Sequence, residues 1–388
     1  MPWKETCVRE ERVRFVVEAL QGKESMSRIC RRFGVSRKTG YKWLRRYEEV
    51  GSLSGLGELS RAPRGRPAQT PAAVEARVVA LRQRRGWGSR KLKRLLGGEG
   101  IHLARSTIDR ILEREGLLEQ KLRQRPAVHR FERAQCNELV QMDFKGQYPL
   151  LDGSWCYPLS QLDDHSRYAL VVAPLPSQST REVRPVVEKS LERYGVPESI
   201  LVDHGTPWWS STSGYGLTRL SVFLIRQGVR LAFSGICHPQ TQGKVERFHR
   251  TMSEWFKHHG TPKTLPGFTR AFEEFRREYN EVRPHEALGL ETPAEHYTPS
   301  LRAYDPSPPE WEYPPGAEVR KLSENGCLYL AGRYYFVCHA LAAERVRYER
   351  FQNRVLVTYR HMTIREIDLD TGDSRTILKP YGPTGHDS

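Results

Sequence analysis

Apolar residues in the first fifty positions recur at helical spacing, in three short runs broken by small residues. Val13, Val16, Val17 and Leu20 fall on one face of a helix that Gly22 stops. Ser25 is placed to cap a second helix that turns Ile29, Cys30 and Phe33 inward. Gly34-Val35 then makes a tight turn, and Ser36 caps a third helix. Its inner stripe is Gly40, Trp43, Leu44 and Tyr47, and its outer face is Arg37, Lys38, Tyr41, Lys42, Arg45 and Arg46. A buried seam with long donors in front of it is what a DNA-reading helix-turn-helix requires, although a three-helix bundle with a solvated basic face has the same pattern. A second unit repeats the plan. Thr70-Pro71 opens a helix with Val74, Val78 and Leu81, and Ser89 opens one with Leu92, Leu95 and Leu96. Ser106 opens a third with Ile108, Ile111 and Leu112, closed by Gly116.

From Glu138 the period shortens to that of strands. Segments 139–145, 156–162 and 167–174 read as strands, with turns at Asp152-Gly153 and His165-Ser166. A helix (181–194), a strand (199–202), a helix (217–227), a strand (229–233) and a long helix (about 242–258) follow. Three strands and then alternation is the order of an α/β ribonuclease-H-like core. A further helix spans about 268–279, and a stretch rich in proline follows at 299–315. Short strands around Asn325-Gly326, Ala331-Gly332 and Thr371-Gly372 then suggest a small all-β barrel. The expected organisation is multidomain: helix-turn-helix domains at 1–60 and 70–135 joined by a basic linker at 61–69, a catalytic core at 136–298, a linker at 299–317 and a barrel at 318–378.

Charge sharpens this division. Of a net +16, residues 1–135 hold 32 Lys and Arg against 15 Asp and Glu, while the rest of the chain is close to neutral. A basic block on a neutral body points to a polyanion-binding module. Within the first linker, Arg64-Gly65-Arg66-Pro67 resembles an AT-hook, in which two arginines enter a narrow A·T-rich minor groove; a plain Pro/Gly linker is the alternative. The seven cysteines are scattered and form no C-x-x-C pair, which argues against a disulfide framework or a zinc finger. The start lacks an apolar signal segment and there is no run of eighteen apolar residues, so a cytoplasmic protein, nucleoid-associated when on DNA, is expected.

Three acids stand out by position. Asp143 ends the first core strand, Asp203 ends the fourth, and Glu246 lies in the first turns of the long helix. In a ribonuclease-H topology the first and fourth strands are neighbours, and the long helix crosses their edge. Hard oxygen ligands gathered there suit Mg²⁺ or Mn²⁺, and two such ions serve an in-line phosphoryl displacement. The adjacent pair Asp163 and Asp164 cannot both join one site, since successive strand residues face opposite ways. Asp164 is expected to hold a hairpin with His165 and Ser166, and His238 to hold the loop before the long helix. Val245, Phe248 and Met252 form that helix's core seam. Arg250, one turn beyond Glu246, is placed to meet a DNA phosphate, with Lys244 a weaker candidate.

The segments Gln141–Gly146, Asp163–Tyr168, Asp203–Trp208, His238–Thr251 and Tyr279–Leu288 resemble the insertion-sequence DDE transposases with a retroviral-integrase-like core. Among these, the insertion-sequence family numbered four hundred and eighty-one shares the wide second spacing, with residues 204–245 between Asp203 and Glu246, and a C-terminal barrel. The resemblance implies that Asp143, Asp203 and Glu246 are the catalytic, metal-binding triad, using Mg²⁺ or Mn²⁺ as two ions. It implies a transposase acting as a homo-oligomer on terminal inverted repeats and target DNA, by 3′-end cleavage and strand transfer. The chain departs from the pattern at His204, where Asn is usual, and at Ile236-Cys237. Two other readings share these features: a DNA-binding regulator built on an inactive transposase, and a nuclease on the same fold. No Walker loop, H-E-x-x-H or G-x-S-x-G is present to suggest ATP, zinc or serine chemistry.

Overall fold

The computed structural model describes residues 8–58, 69–118, 132–210, 216–234 and 243–377, with one short strand at Pro380–Tyr381. The chain forms two compact units, Met1–Thr70 and Pro71–Ser388.

In the first unit, α1 (Val8–Gln21), α2 (Met26–Arg32) and α3 (Arg37–Val50) close around Phe15, Val16, Ile29, Cys30, Trp43 and Leu56. Ser36 caps α3 by accepting from the Thr39 N–H at 3.1 Å. Gly40 is required where it stands, because a Cβ there would lie 2.7 Å from both Cys30 Sγ and Phe15 Cζ. The inward face of α1 differs from the expected one: Val17 and Leu20 are exposed and Phe15 takes the core. The reason is Arg12, whose guanidinium lies 3.8 Å from the Trp43 ring centroid and donates to the Leu56 carbonyl, which turns the Arg12–Phe15 side of the helix inward. Ser25 stands at the N-cap of α2, but its side chain makes no capping bond.

The second unit begins with α4 (Ala72–Arg85), α5 (Ser89–Gly98) and α6 (Arg105–Arg114), whose core is Val78, Leu81, Trp87, Leu92, Leu96, Ile108, Ile111 and Leu112. Next comes a sheet built from β1 (Val140–Phe144), β2 (Tyr148–Pro149), β3 (Trp155–Asp163) and β4 (Ala169–Leu175), then, after α7 (Thr180–Tyr194), β5 (Ser199–Val202). A small hairpin, β6 (Trp209–Ser210) and β7 (Gly216–Leu217), precedes α8 (Arg219–Arg226) and β8 (Arg230–Ser234). The long helix α9 (Gly243–His259), α10 (Leu265–Arg277) and the short α11 (Pro293–His296) complete this part. The five main strands run β8-β5-β1-β3-β4, with β1, β5 and β8 parallel and β3 antiparallel to its neighbours. This is the strand order of the expected ribonuclease-H-like core. An aromatic layer (Phe248, Trp255, Phe256, Phe268, Phe272, Phe275 and Tyr279) binds α9 to α10.

The C-terminal region departs from expectation. Strands β9 (Val319–Lys321), β12 (Arg345–Phe351), β13 (Arg354–Tyr359), β14 (Met362–Asp368) and β15 (Ser374–Thr376) form one antiparallel sheet in the order β15-β14-β13-β12-β9. Strands β10 (Cys327–Leu330) and β11 (Arg333–Phe336) form a separate hairpin over Ala331-Gly332, both at positive φ as a type I′ turn requires. Among the described residues β9 and β15 do not pair with each other, so no closed barrel forms. The sheet instead joins the α/β core. Val346, Val355, Val357 and Ile367 belong to the same apolar cluster as Leu220, Leu224, Val229 and Phe233. The Cys338 thiol donates to the Leu217 carbonyl, His361 Nε2 to the Val229 carbonyl at 3.1 Å, and Arg226 reaches Tyr359 and Glu344. The final strand β16 (Pro380–Tyr381) pairs parallel with β8. The proline-rich connection is likewise fastened down: Ser300 Oγ donates to the Val196 carbonyl at 2.7 Å, Arg302 to the Pro197 carbonyl at 2.9 Å and Tyr313 to the Arg345 carbonyl at 2.9 Å.

Candidate active site

The register of the parallel pair sets the first two acids. Val140 lies opposite Ile200 and Gln141 opposite Leu201. Counting on three residues from the first pair brings Asp143 and Asp203 level, at the ends of neighbouring strands. One oxygen of each is occupied by local backbone. Phe144 N–H donates to Asp143 Oδ1 at 2.8 Å, and Gly205 N–H donates to Asp203 Oδ1 at 3.0 Å. A Cβ at Gly205 would sit 3.0 Å from Asp203 Oδ2, so the close turn over this carboxylate favours glycine. His204 packs its ring edge-on to Trp209 and against Phe233, bracing the turn by ring contact.

The third acid comes from α9, whose buried face is Val245, Phe248, His249, Met252, Trp255 and Phe256. Glu246 is exposed on the first turn of that helix. Burial, with Asp203 and then Glu246 adding repulsion, pushes the Asp143 carboxyl up to about 7. Asp203 and Glu246 thus both bear electrostatically on Asp143. As placed, no three His, Cys, Asp or Glu side chains among the described residues are gathered tightly enough to hold an ion. The donor set is nevertheless three hard carboxylates with crowded negative charge, and that chemistry fits a hard divalent cation.

A buried network fixes the start of α9 against β1. Asp164, fully buried, accepts from Gln141 Nε2 at 2.8 Å, from the Arg133 N–H at 2.9 Å and from Lys244 Nζ at 2.5 Å. Gln141 in turn accepts from the Val245 N–H at 3.2 Å. Burial pushes the Lys244 ammonium down to about 8, although Asp164 pulls it the other way. Lys244 is thus an internal strut two residues from Glu246, not the outward phosphate ligand its position suggested. The hairpin role expected of Asp164 belongs to Asp163, which accepts from the Ser166 N–H and hydroxyl at 2.8 and 2.7 Å and from the Asn137 N–H at 2.8 Å.

His249 was not apparent from the sequence. Its Nε2 lies 3.1 Å from Ser160 Oγ and its Nδ1 lies 3.8 Å from Asp143 Oδ2. Burial, with Lys145 adding, pushes the ring down to about 3, so a neutral imidazole packs beside Asp143. Its place three residues after Glu246, on the inner helix face, was the only available signal. Tyr279 and Asn280, which open the Tyr279–Leu288 segment, are structural: Asn280 pairs through both side-chain atoms with the Ala169 backbone at 2.9 and 3.0 Å, and Tyr279 packs edge-on to Phe248.

On α3 the expected contact residues Arg37, Lys38, Tyr41, Lys42 and Arg45 are all exposed, whereas Arg46 folds back toward Trp43 and the Gly57 carbonyl. Arg250 is exposed on α9. Arg64, Arg66 and His238 lie outside the described residues.

Comparison with known proteins adds to this geometry. Homeodomain-like domains match residues 8–57 and 39–112, and an integrase core domain matches residues 227–293. The chain combines helix-turn-helix DNA-binding domains with an integrase core, as an insertion-element transposase does. It is also similar, at 26% identity over 229 residues, to an uncharacterized 31.7 kDa protein of insertion element IS407 from Burkholderia multivorans, covering 57% of this chain and 79% of that protein. Among solved structures it is similar to the magnesium-bound HTLV-2 integrase catalytic core (13% identity, 42% of this chain and 99% of that one, TM-score 0.33). A simian T-cell lymphotropic virus intasome structure is another (14% identity, 78% of this chain and 100% of that one, TM-score 0.38). No helix among the described residues is long and apolar enough to cross a membrane.

Proposed function

We propose that the chain is a transposase that binds the terminal inverted repeats of a mobile element and carries out 3′-end cleavage and strand transfer at Asp143, Asp203 and Glu246. The observation that carries this reading is the alignment of Asp143 and Asp203 on adjacent parallel strands, beside a helix that the Asp164–Gln141–Lys244 network locks in place. Asp143, Asp203 and Glu246 would hold Mg²⁺ or Mn²⁺, as two ions. Such ions, when bound, activate an attacking oxygen and stabilise a leaving one. The chain's own part is positional: backbone N–H groups fix the planes of both aspartates, and Lys244 with Gln141 fixes the turn that bears Glu246. Sequence recognition falls to the exposed Arg37, Lys38, Tyr41, Lys42 and Arg45 of α3, with Arg64 and Arg66 of the linker reading A·T-rich DNA. The wide spacing between Asp203 and Glu246 supports the insertion-sequence family numbered four hundred and eighty-one, and acting on paired ends requires a homo-oligomer.

The test uses full-length protein and labelled end DNA, taken from matched inverted repeats flanking the gene. With Mg²⁺ or Mn²⁺ and a target plasmid, end cleavage and joined product are expected on a gel. Chelator should abolish both while leaving the mobility shift intact. Protein that shifts the ends but never cleaves them in either metal would sink the proposal in favour of a DNA-binding regulator.

A further inference from the structure

The outward face of α9 forms one wall of a cleft of about 830 Å³. Arg247, Arg250 and Thr251 line this wall; the facing wall is the second helical domain, from the Arg85–Arg90 turn to Arg105 at the start of α6. The walls are fastened together. His258 Nδ1 donates to the Gln83 carbonyl at 3.0 Å, and Arg85 lies 3.1 Å from Glu278 across the cleft. Gly86, at φ +65°, permits this approach, since a Cβ there would lie 2.2 Å from His258 Nε2.

Seven Arg and Lys line the cleft against three Glu. Those acids are already engaged. Glu278 also accepts from Trp255 Nε1 at 3.3 Å, Glu254 pairs with Lys257 at 2.9 Å, and Glu286 stands 4.0 Å from Arg90. Among the described residues no carboxylate lies within ion-pair distance of Arg247 or Arg250. Arg85 Nε and Nη1 are buried without an aligned acceptor. The Arg85 and Arg283 guanidiniums lie 4.8 and 5.8 Å from the ring centroid of Trp87. Trp87 is itself buried, so its ring orients cations and is closed to a stacking base. An excess of cations over acids, with Arg247 and Arg250 clear of any carboxylate among the described residues and no open aromatic face, describes a site for phosphate oxygens.

We propose that this cleft binds the sugar–phosphate backbone of one DNA strand and leads it from the second helical domain to the carboxylates. Arg250 lies one helical turn, about 6 Å, along α9 from Glu246, so a strand in the cleft passes directly beside that residue. The assignment of a destination rests on the proposed function of the carboxylates; the binding itself does not.

The test titrates full-length protein, without divalent metal, against a fluorescein-labelled duplex of arbitrary sequence and roughly forty base pairs over a range of salt. Arg247→Ala with Arg250→Ala should lower the slope of log affinity against log salt by about 2, at about 0.9 per phosphate, and weaken binding about tenfold. Arg247→Lys with Arg250→Lys keeps the charge and should keep the slope. Arg320→Ala with Arg350→Ala, on the C-terminal sheet, should leave it unchanged. An unchanged slope in the α9 alanine variant, or an equal loss in the C-terminal pair, would overturn the cleft assignment. An unchanged slope in a protein that still joins DNA refutes the cleft and leaves the transposase reading. The expected loss of slope in a protein that never joins DNA does the reverse.

Discussion

The two ends of the chain both look like small appended modules, and only one of them is. Residues 8–58 close their own core: Phe15, Ile29, Cys30, Trp43 and Leu56 need no partner from elsewhere. Residues 319–376 form as regular a set of strands, yet Val346, Val355, Val357 and Ile367 share one apolar cluster with residues of α8 and β8 in the α/β core. What separates the two is where the buried side chains find their neighbours. An independent unit has all of its apolar faces satisfied internally, whereas an open sheet with one apolar face must borrow a surface. The C-terminal sheet borrows it from the sheet edge that positions Asp203.

That contrast can be broken most severely by deletion. Removing residues 318–388 would expose Leu220, Leu224, Val229 and Phe233, so the remaining second unit should lose its cooperative thermal transition and go into inclusion bodies. A soluble deletion protein with an unchanged melting temperature would show the sheet to be a separate module after all. A smaller effect is expected from Trp43→Ala, at about 3–5 kcal/mol for a buried aromatic. Hydrogen exchange should show protection lost from α1–α3 alone while the second unit keeps its melting temperature; loss throughout the chain would mean that the first unit is not autonomous. The smallest is Ser36→Ala, which removes the α3 cap and should cost about 1 kcal/mol in the same unit.

Much of the fold was legible because period and punctuation agreed. The α3 stripe and the strand at Ser199–Val202 both fell where apolar spacing and capping residues put them. The α1 face was misassigned because Val13, Val16, Val17 and Leu20 fit helical spacing as well as the stripe that includes Phe15; the Arg12–Trp43 contact that decides between them is tertiary. The missing barrel closure has a similar cause. Hairpin turns can be read from Asn-Gly and Ala-Gly pairs, but nothing local states whether the outer strands meet each other or another domain. At the candidate site the acids were visible as strand-end and helix-start residues. Their supports were not: the hairpin role expected of Asp164 falls to Asp163, Asp164 instead holds Lys244, and His249 and Lys244 turn inward, because side-chain direction at those positions follows from the packing of α9 on β1 and β3.

The central claim is that Asp143, Asp203 and Glu246 form one catalytic centre, and single-turnover strand joining on pre-cut end DNA tests it most directly. Asp143→Asn and Asp203→Asn should each lower the joining rate by about a thousandfold or more, and the double variant should be no slower than the slower single one, since residues acting as a unit are not additive. All three proteins should still shift end DNA. Rate losses that multiply in the double variant, or joining that survives both substitutions, would contradict the account.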